Sequence, residues 1–170
     1  MARLLVADDE RSMRELLELV FKREGHQITS VSNGREALVA IGKGSFDLII
    51  TDVKMPDLTG IDLLKAVREQ SPDTMVIMMT AFATINSARE AFKLGADDFI
   101  QKPFDVDEFK LIVRKALEKR DLRQENALLK RELHRRGQLG DIIGRSPMMQ
   151  AVYQMIETVA ANLSTVLVNG

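Results

Sequence analysis

The sequence predicts an α/β protein built on a parallel, doubly wound sheet. Apolar runs of strand length alternate with segments of helical period up to about residue 120, as in successive βαβ units. Hydrophobic residues make up 45% of the chain, which is ample for a core on both faces of such a sheet. The predicted strands cover residues 3–7, 27–31, 47–51, 75–79 and 97–101.

Four helices between these strands are predicted from apolar residues that recur three or four positions apart. The first helix is marked by Met13, Leu16, Leu17, Val20 and Phe21. The later ones are marked by Ala37, Leu38 and Ile41, by Ile61, Leu64, Ala66 and Val67, and by Ala88, Ala91 and Phe92. Glycines punctuate the element ends, where their backbone freedom is useful, at Gly25, Gly34, Gly60 and Gly95.

A long charged helix is predicted over residues 107–136. This segment contains no glycine or proline, and 16 of its 30 residues are charged. At 1.5 Å per residue it would be ~45 Å long. The first half has one apolar face that would cover the sheet, formed by Phe109, Ile112, Val113, Ala116 and Leu117.

The second half of this helix has the heptad spacing of a two-stranded coiled coil. The d, a, d, a positions are Leu122, Asn126, Leu129 and Leu133. In a parallel pair, Glu118 and Glu125 at g would face Arg123 and Lys130 at e. Because Lys115 and Lys119 interrupt the seam, a solvated charged helix is an open alternative.

The last residues predict the start of a second domain. Gly137 and Gly140 should end the long helix, and Ser146 followed by Pro147 is typical of a helix start. A short strand is predicted over residues 165–168. One helix and one strand are too little to close a core, so we expect residues 141–170 to be the beginning of a longer domain.

Polar side chains follow four of the predicted strands. Asp8 and Asp9 follow the first, Asp52 the third, Thr80 the fourth and Lys102 the fifth. In an open parallel sheet the carboxyl ends of the strands meet at one edge, where ligands bind. Three carboxylates, a hydroxyl and an ammonium at this edge predict a site for a divalent cation and a phosphoryl group.

The residue types indicate the chemistry. Oxygen-only ligands suit Mg²⁺, which would also relieve the repulsion among the three carboxylates. Asp52, alone at the end of the central strand, is the natural nucleophile and would form an aspartyl phosphate. Thr80 could donate to one phosphoryl oxygen and Lys102 could pair with another.

Ordinary structural roles are also open for these residues. Asp8 or Asp9 could cap the helix that starts near Arg11, and Thr80 could cap the helix after it. Lys102 could be a surface lysine. These roles do not explain why four strand ends carry complementary groups.

Composition excludes several classes of protein. The chain has no cysteine and therefore no disulfide, thiolate metal site or cysteine nucleophile. Its formal net charge of −1 produces no global field toward nucleic acid or membrane. No signal peptide or membrane-length apolar run is recognisable, so we expect a cytoplasmic protein that makes no membrane contact. His26 and His134 have no partners at metal-ligand spacing.

Four motifs carry a resemblance to a known family. They are Asp8-Asp9-Glu10, the segment ITDVKMP at 50–56, MTA at 79–81 and KPF at 102–104. Together they resemble the receiver domain of two-component response regulators over residues 1–120. The resemblance implies a flavodoxin-like fold with strand order 2-1-3-4-5, and phosphoryl transfer from a sensor histidine kinase to Asp52.

The resemblance also implies further roles. Asp9, Asp52 and the backbone carbonyl of Lys54 would bind Mg²⁺, with Asp8 assisting through water, and the Lys102–Pro103 bond would be cis. Phe99 stands where the family carries its switch aromatic, coupled to Thr80. Lys54 and Phe82 would tune the access of water to the acyl phosphate.

The chain's last segment resembles a second family. Residues 143–149 (IGRSPMM) and 165–170 (TVLVNG) resemble the entry to the AAA+ ATPase domain of sigma-54-dependent activators, the nitrogen-regulator class. Gly170 would be the first glycine of a phosphate-binding loop. Since the lysine and the Ser/Thr of that loop are absent, we expect phosphotransfer and autodephosphorylation but no ATP hydrolysis.

The resemblance implies partners and a mode of control. Receivers of this class pair through the fourth helix, fifth strand and fifth helix, and residues 107–136 would extend the pair as a coil. The unbroken helix favours the subgroup in which the unphosphorylated dimer holds the ATPase domains apart. Sigma-54 RNA polymerase and DNA would be partners of the longer protein.

Two other functions are weighed against this one. A haloacid dehalogenase-type phosphatase would carry Asp-x-Asp after its first strand, whereas the lone Asp52 follows the third. Nucleic-acid binding by the basic helix is a further alternative, but its bases are spread around the helix and stacking aromatics are missing.

Overall fold

The computed structural model describes residues 1–81, 85–136, 138–139, 142–144 and 146–160. The strands are β1 (Arg3–Ala7), β2 (Gln27–Val31), β3 (Leu48–Asp52), β4 (Met75–Thr80) and β5 (Asp98–Gln101). Between them lie the helices α1 (Arg11–Arg23), α2 (Gly34–Lys43), α3 (Gly60–Gln70) and α4 (Ile85–Lys93). The elements after β5 are α5 (Val106–Arg136), β6 (Gln138–Leu139), β7 (Ile142–Ile143) and α6 (Pro147–Ala160).

The five long strands form one parallel sheet in the order β2-β1-β3-β4-β5. This confirms the predicted doubly wound α/β fold and its strand order. The strand β3 lies at the centre, and all five of its residues are buried. Such uninterrupted burial is expected of a central strand with helices on both faces of the sheet.

Two hydrophobic layers hold the helices against the sheet. Successive residues of a strand point to opposite faces of the sheet. In β1, Leu4 and Val6 therefore face one layer, and Leu5 and Ala7 face the other. The first layer includes residues of α1 and α5, such as Phe21 and Phe109, whose ring centroids lie 5.6 Å apart. The second layer takes its helical residues from α2, α3 and α4, among them Ala37, Leu63, Leu64, Val67 and Ala91.

The strand bounds differ from the prediction by one residue at four places, in β3, β4 and β5. Asp47 precedes β3, because its carboxylate accepts a hydrogen bond from the Arg3 amide at 2.6 Å. Asp97 likewise precedes β5, since its side chain binds Arg68 at 2.9 Å. At the other ends, Asp52 and Thr80 are the final strand residues rather than the first loop residues. Their backbones are therefore fixed by the sheet.

The helix α5 runs without a break to Arg136, immediately before Gly137, as predicted. By compactness the chain divides into two units, residues 1–121 and 122–170. Within the first unit, α5 is tied to the sheet by an ion pair between Arg120 and Asp47 at 2.5 Å, in which both side chains are 20% exposed. Lys119 pairs with Asp97 at 3.3 Å.

In the second unit, α6 begins as its sequence predicts. The Met149 amide donates to the Ser146 hydroxyl at 3.2 Å, so Ser146 caps a helix whose first residue is Pro147. The antiparallel pair of β6 and β7 was not anticipated from the sequence. Tyr153 is fully buried and donates its hydroxyl to the Ile142 carbonyl at 3.1 Å. The predicted strand at 165–168, Gly170, Phe82 and the side chains of Leu133 and His134 lie outside what the structure describes.

Among the described residues, no helix combines the length and the apolar character needed to cross a membrane.

Candidate functional site

The four predicted polar strand ends meet at one edge of the sheet. Asp8 directly follows β1, and Asp52 ends β3 next to it in the sheet. Thr80 ends β4 and is paired with Gln101, the residue before Lys102. The parallel register therefore brings together side chains that are separated by as many as 94 positions, as between Asp8 and Lys102.

Three carboxylates converge at this edge. One oxygen from each of Asp8, Asp9 and Asp52 lies within 4.8 Å of the others. Asp8 is fully buried, Asp52 is 8% exposed and Asp9 faces solvent. A cluster of carboxylate oxygens with one open side is a donor set that suits Mg²⁺, a hard cation that binds protein oxygens and keeps several waters.

Lys102 bridges two of these carboxylates. Its ammonium nitrogen lies 2.6 Å from Asp8 Oδ2 and 2.6 Å from Asp52 Oδ2, and its side chain is only 11% exposed. The Lys102 amide donates to the Thr80 carbonyl at 2.7 Å, and the bond to Pro103 is cis. The alternative of an ordinary surface lysine is therefore wrong.

The pKa values of Asp8 and Lys102 are both raised, but for different reasons. Burial raises the pKa of the Asp8 carboxyl above its ordinary value, and hydrogen bonds from Lys102 and the Glu10 amide offset this only in part. For Lys102, burial lowers the pKa, but the hydrogen bonds to Asp52 and Asp8 outweigh it and the net pKa is raised. Lys102 is thus held as an ammonium ion at the site.

The loop after β3 is fixed closely to the backbone of Asp52. The Lys54 amide donates to Asp52 Oδ1 at 3.0 Å, so the backbone of Lys54 lies at the site. A cation-binding role for the Lys54 carbonyl stays a prediction. The Gly60 amide donates to the Val53 carbonyl at 3.0 Å, which returns the chain to the strand end as α3 begins.

The capping alternatives do not account for the acids. The N-cap of α1 is Glu10, and no side chain caps that helix. Asp8 Oδ1 instead accepts the Glu10 amide at 2.9 Å, within the loop that precedes the helix. Thr80 is the last residue of β4, where its backbone pairs with β5 in the sheet.

The predicted switch pair is placed on neighbouring strands. Thr80 is 3% exposed, and Phe99 of β5 is half-buried and packs against the layer shared with α2, α3 and α4. This packing is compatible with an ordinary core role for Phe99 and equally with a rotamer switch. The switch role stays a prediction.

Arg14 also contacts the site, and the motif reasoning missed it. Its guanidinium donates to the main-chain carbonyls of Asp8 and Asp9. The one sequence signal was a basic residue in the first turn of the helix that follows the acid pair. Such a residue belongs to no motif with a defined spacing, so the sequence did not single out Arg14.

His26 lies at the opposite edge of the sheet, just before β2. Its Nδ1 accepts a hydrogen bond from the Ala2 amide at 3.3 Å, which is a structural role. Burial and the N-terminal ammonium lower the pKa of His26, while the carboxylates of Glu24 and Asp47 act in the opposite direction.

Comparison with known proteins gives a family match. The family model described as the response regulator receiver domain matches residues 4–114. The chain is similar to the regulatory protein AtoC of Escherichia coli, with 36% identity over 168 residues that cover 99% of this chain and 36% of AtoC. It is also similar to the DNA-binding transcriptional regulator NtrC of Escherichia coli, with 34% identity over 97% of this chain and 34% of NtrC.

Solved structures agree with these matches. NtrX from Brucella abortus, in complex with ADP, superposes with a TM-score of 0.73 at 33% identity over 94% of this chain and 34% of NtrX. The receiver domain of the Francisella response regulator 1452 superposes with a TM-score of 0.67 at 34% identity, covering 70% of this chain and 98% of that domain. The chain spans about a third of the length of the curated relatives it matches.

Proposed function

Because this chain belongs to the family of response regulator receiver domains, we propose that it is a phosphorylation-dependent switch whose Asp52 accepts a phosphoryl group from a sensor histidine kinase. The observation that carries the proposal is the Lys102 ammonium, 2.6 Å from both Asp52 and Asp8 at an edge that Thr80 completes. With a sensor histidine kinase as the phosphoryl donor, we also propose a cytoplasmic location. The family match over residues 4–114 favours this function over the phosphatase and nucleic-acid alternatives.

We assign each side chain one task in the transfer. A carboxylate oxygen of Asp52 forms the new bond to phosphorus as the bond from phosphorus to the kinase histidine nitrogen breaks. Lys102 exchanges its contact with Asp52 for one with a phosphoryl oxygen, and the Thr80 hydroxyl donates to another. Such transfers depend on positioning and on electrostatic stabilisation of the spread negative charge.

The acids would hold the cation that this chemistry requires. Asp9 and Asp52 would be the direct carboxylate ligands, the Lys54 carbonyl would be a third ligand, and Asp8 would assist through water. The Asp9 carboxylate forms no hydrogen bond or ion pair with any residue that the structure describes, which leaves its oxygens available. Bound Mg²⁺ would neutralise charge on the phosphoryl group and the carboxylates.

Phosphorylation is proposed to act on a homodimer. The contact of Thr80 with the phosphoryl group would bias the rotamer of Phe99 and so alter the face formed by α4, β5 and α5, through which we expect two receivers to pair. The pair would continue along α5, where the coil positions Leu122 and Leu129 are 66% and 54% exposed and thus open to a partner helix.

The longer protein is proposed to be a transcriptional activator. The names of the relatives, which include a DNA-binding transcriptional regulator, support this. We propose that residues 141–170 lead into an AAA+ ATPase domain that acts on sigma-54 RNA polymerase at DNA. The receiver dimer would control that ATPase through the linker helix.

The test is molar mass by light scattering over a concentration series with Mg²⁺, with and without beryllofluoride, which stands in for the phosphoryl group. A dimer that loosens with the mimic would support relief of an inhibitory pair, and a monomer that dimerises with it would support assembly. The control is Asp52→Asn, which keeps the shape but removes the nucleophile and should not respond. An unresponsive wild-type chain, or a variant that still accepts phosphate, would contradict the assignment of Asp52.

A further inference from the structure

The first turn of α1 is basic where helices favour acids. It contains Arg11 and Arg14 and no acidic residue, although the N-terminus of a helix carries a partial positive charge that disfavours cations. Arg11 is compensated by Glu15 one turn later, at 2.7 Å, on the exposed surface. Arg14 makes no such pair within the helix, so its position requires another explanation.

Arg14 turns back to the loop that carries the two acids. Its Nη1 donates to the carbonyl oxygen of Asp8 at 2.8 Å and to that of Asp9 at 2.9 Å. The amide of Arg14 also donates to the Glu10 carbonyl at 3.2 Å. One side chain therefore holds the peptide groups of both acids, and its contacts do not involve their carboxylate oxygens.

We propose that Arg14 is a positioning residue for the cation site, an inference that rests on the proposed function. Fixing two successive carbonyls restricts the backbone of Asp8 and Asp9 and thus where their carboxylates lie. This restraint is needed because three carboxylates within 4.8 Å repel one another, and an unrestrained loop would relax away from Asp52. Arg14 holds the loop ready for the cation.

Charge and position predict opposite effects on cation affinity. The guanidinium is positive, so as a mere charge near the site it repels Mg²⁺, and its removal should tighten binding. As a positioning group it organises the ligands, and its removal should weaken binding. Loss of an outer-shell partner of a metal ligand typically reduces metal affinity about 10–100-fold.

The experiment measures Mg²⁺ affinity by titration calorimetry on the whole chain for Arg14→Met, Arg14→Lys and Arg11→Met. Methionine keeps an unbranched stem and a similar helix propensity but removes the charge and the donors. We expect Arg14→Met to bind Mg²⁺ at least about tenfold more weakly. Arg11→Met should equal the wild type or bind slightly more tightly. Arg14→Lys, which keeps a donor, should recover most of the loss.

Thermal unfolding in EDTA separates positioning from a general loss of structure. With the cation removed, Arg14→Met and Arg11→Met should have similar midpoints, and Arg14→Lys is the second variant if Arg14→Met does not fold. Affinity in Arg14→Met equal to or tighter than that of the wild type, or an equal loss in Arg11→Met, would overturn the inference alone. A wild-type chain that binds neither Mg²⁺ nor beryllofluoride would overturn the proposed function and this inference with it.

Discussion

Gly60 is the first residue of α3 and leaves no room for a side chain. A Cβ at this position would lie 2.1 Å from the carbonyl oxygen of Asp52, 2.9 Å from its carbonyl carbon and 3.1 Å from the Cα of Val53. All three are backbone atoms at the end of the central strand, so they cannot turn aside as a side chain would. Since non-bonded carbon and oxygen atoms approach to about 3.3 Å, Gly60→Ala must separate α3 and β3 by about 1 Å.

This displacement sets the size of the effect. Overpacking of this kind costs about 1–3 kcal/mol, and the entropy lost by the unfolded chain on Gly→Ala substitution returns about 0.4–1 kcal/mol. Because the obstacle is backbone, we expect a net loss of about 2 kcal/mol. The control is Gly42→Ala in α2, where a Cβ meets nothing within 4 Å. That substitution should stabilise the protein by about 0.5–1 kcal/mol.

The assay is thermal unfolding by far-ultraviolet circular dichroism, combined with beryllofluoride binding. The two variants should differ by roughly 10 °C in the midpoint of the receiver unit, at about 4 °C per kcal/mol. Because the displaced carbonyl belongs to Asp52, the proposed phosphoacceptor, Gly60→Ala should also bind the mimic more weakly, whereas Gly42→Ala should not. A Gly60→Ala protein that unfolds at or above the wild-type temperature would refute the close approach on which this reasoning depends.

Three further substitutions test other contacts. The lowered pKa of His26 means that the folded state binds fewer protons than the unfolded state, so stability should fall as the pH drops below 6.5. His26→Asn keeps an acceptor for the Ala2 amide, and between pH 7 and pH 5 its unfolding midpoint should fall less than that of the wild type. An equal fall in the two proteins would contradict the role of His26. Arg120→Met removes one partner of a mostly buried ion pair and should cost about 1–2 kcal/mol in denaturant unfolding, whereas Arg11→Met on the exposed surface should cause no measurable change. Leu129→Asp puts a charge at a coil d position and should weaken dimerisation on the order of tenfold in light scattering. Leu128→Asp, at an outward c position, should leave the dimerisation constant unchanged. Equal dimerisation constants for the two variants would leave the coiled coil without support.

The sequence predicted most of the fold because its pattern is repeated and local. Each of the five strands was predicted to within one residue at either end, since apolar runs bounded by glycine and polar residues leave little freedom for other structures. The end of the long helix before Gly137 follows from the loss of helix-forming residues there. The pair of β6 and β7 escaped prediction because two-residue strands have too short a pattern to detect.

The convergence of Asp8, Asp52, Thr80 and Lys102 was also determined by the sequence. Parallel strands in successive βαβ units have their carboxyl ends on one edge, so groups far apart in the chain must meet there whatever the atomic details. The residue types at those ends are the basis of the proposed phosphoryl-transfer chemistry.

The tertiary structure alone decided how these groups are held. It buries Asp8 and exposes Asp9, places Lys102 between Asp8 and Asp52, and brings Arg14 onto the carbonyls of the acid loop. The direction of each side chain, and the distance between neighbouring backbone segments, depend on how the layers pack. Differences of a few tenths of an ångström in that packing decide which contacts form. The periodicity of a sequence reports which face a residue occupies, but not the distances between atoms that packing brings together.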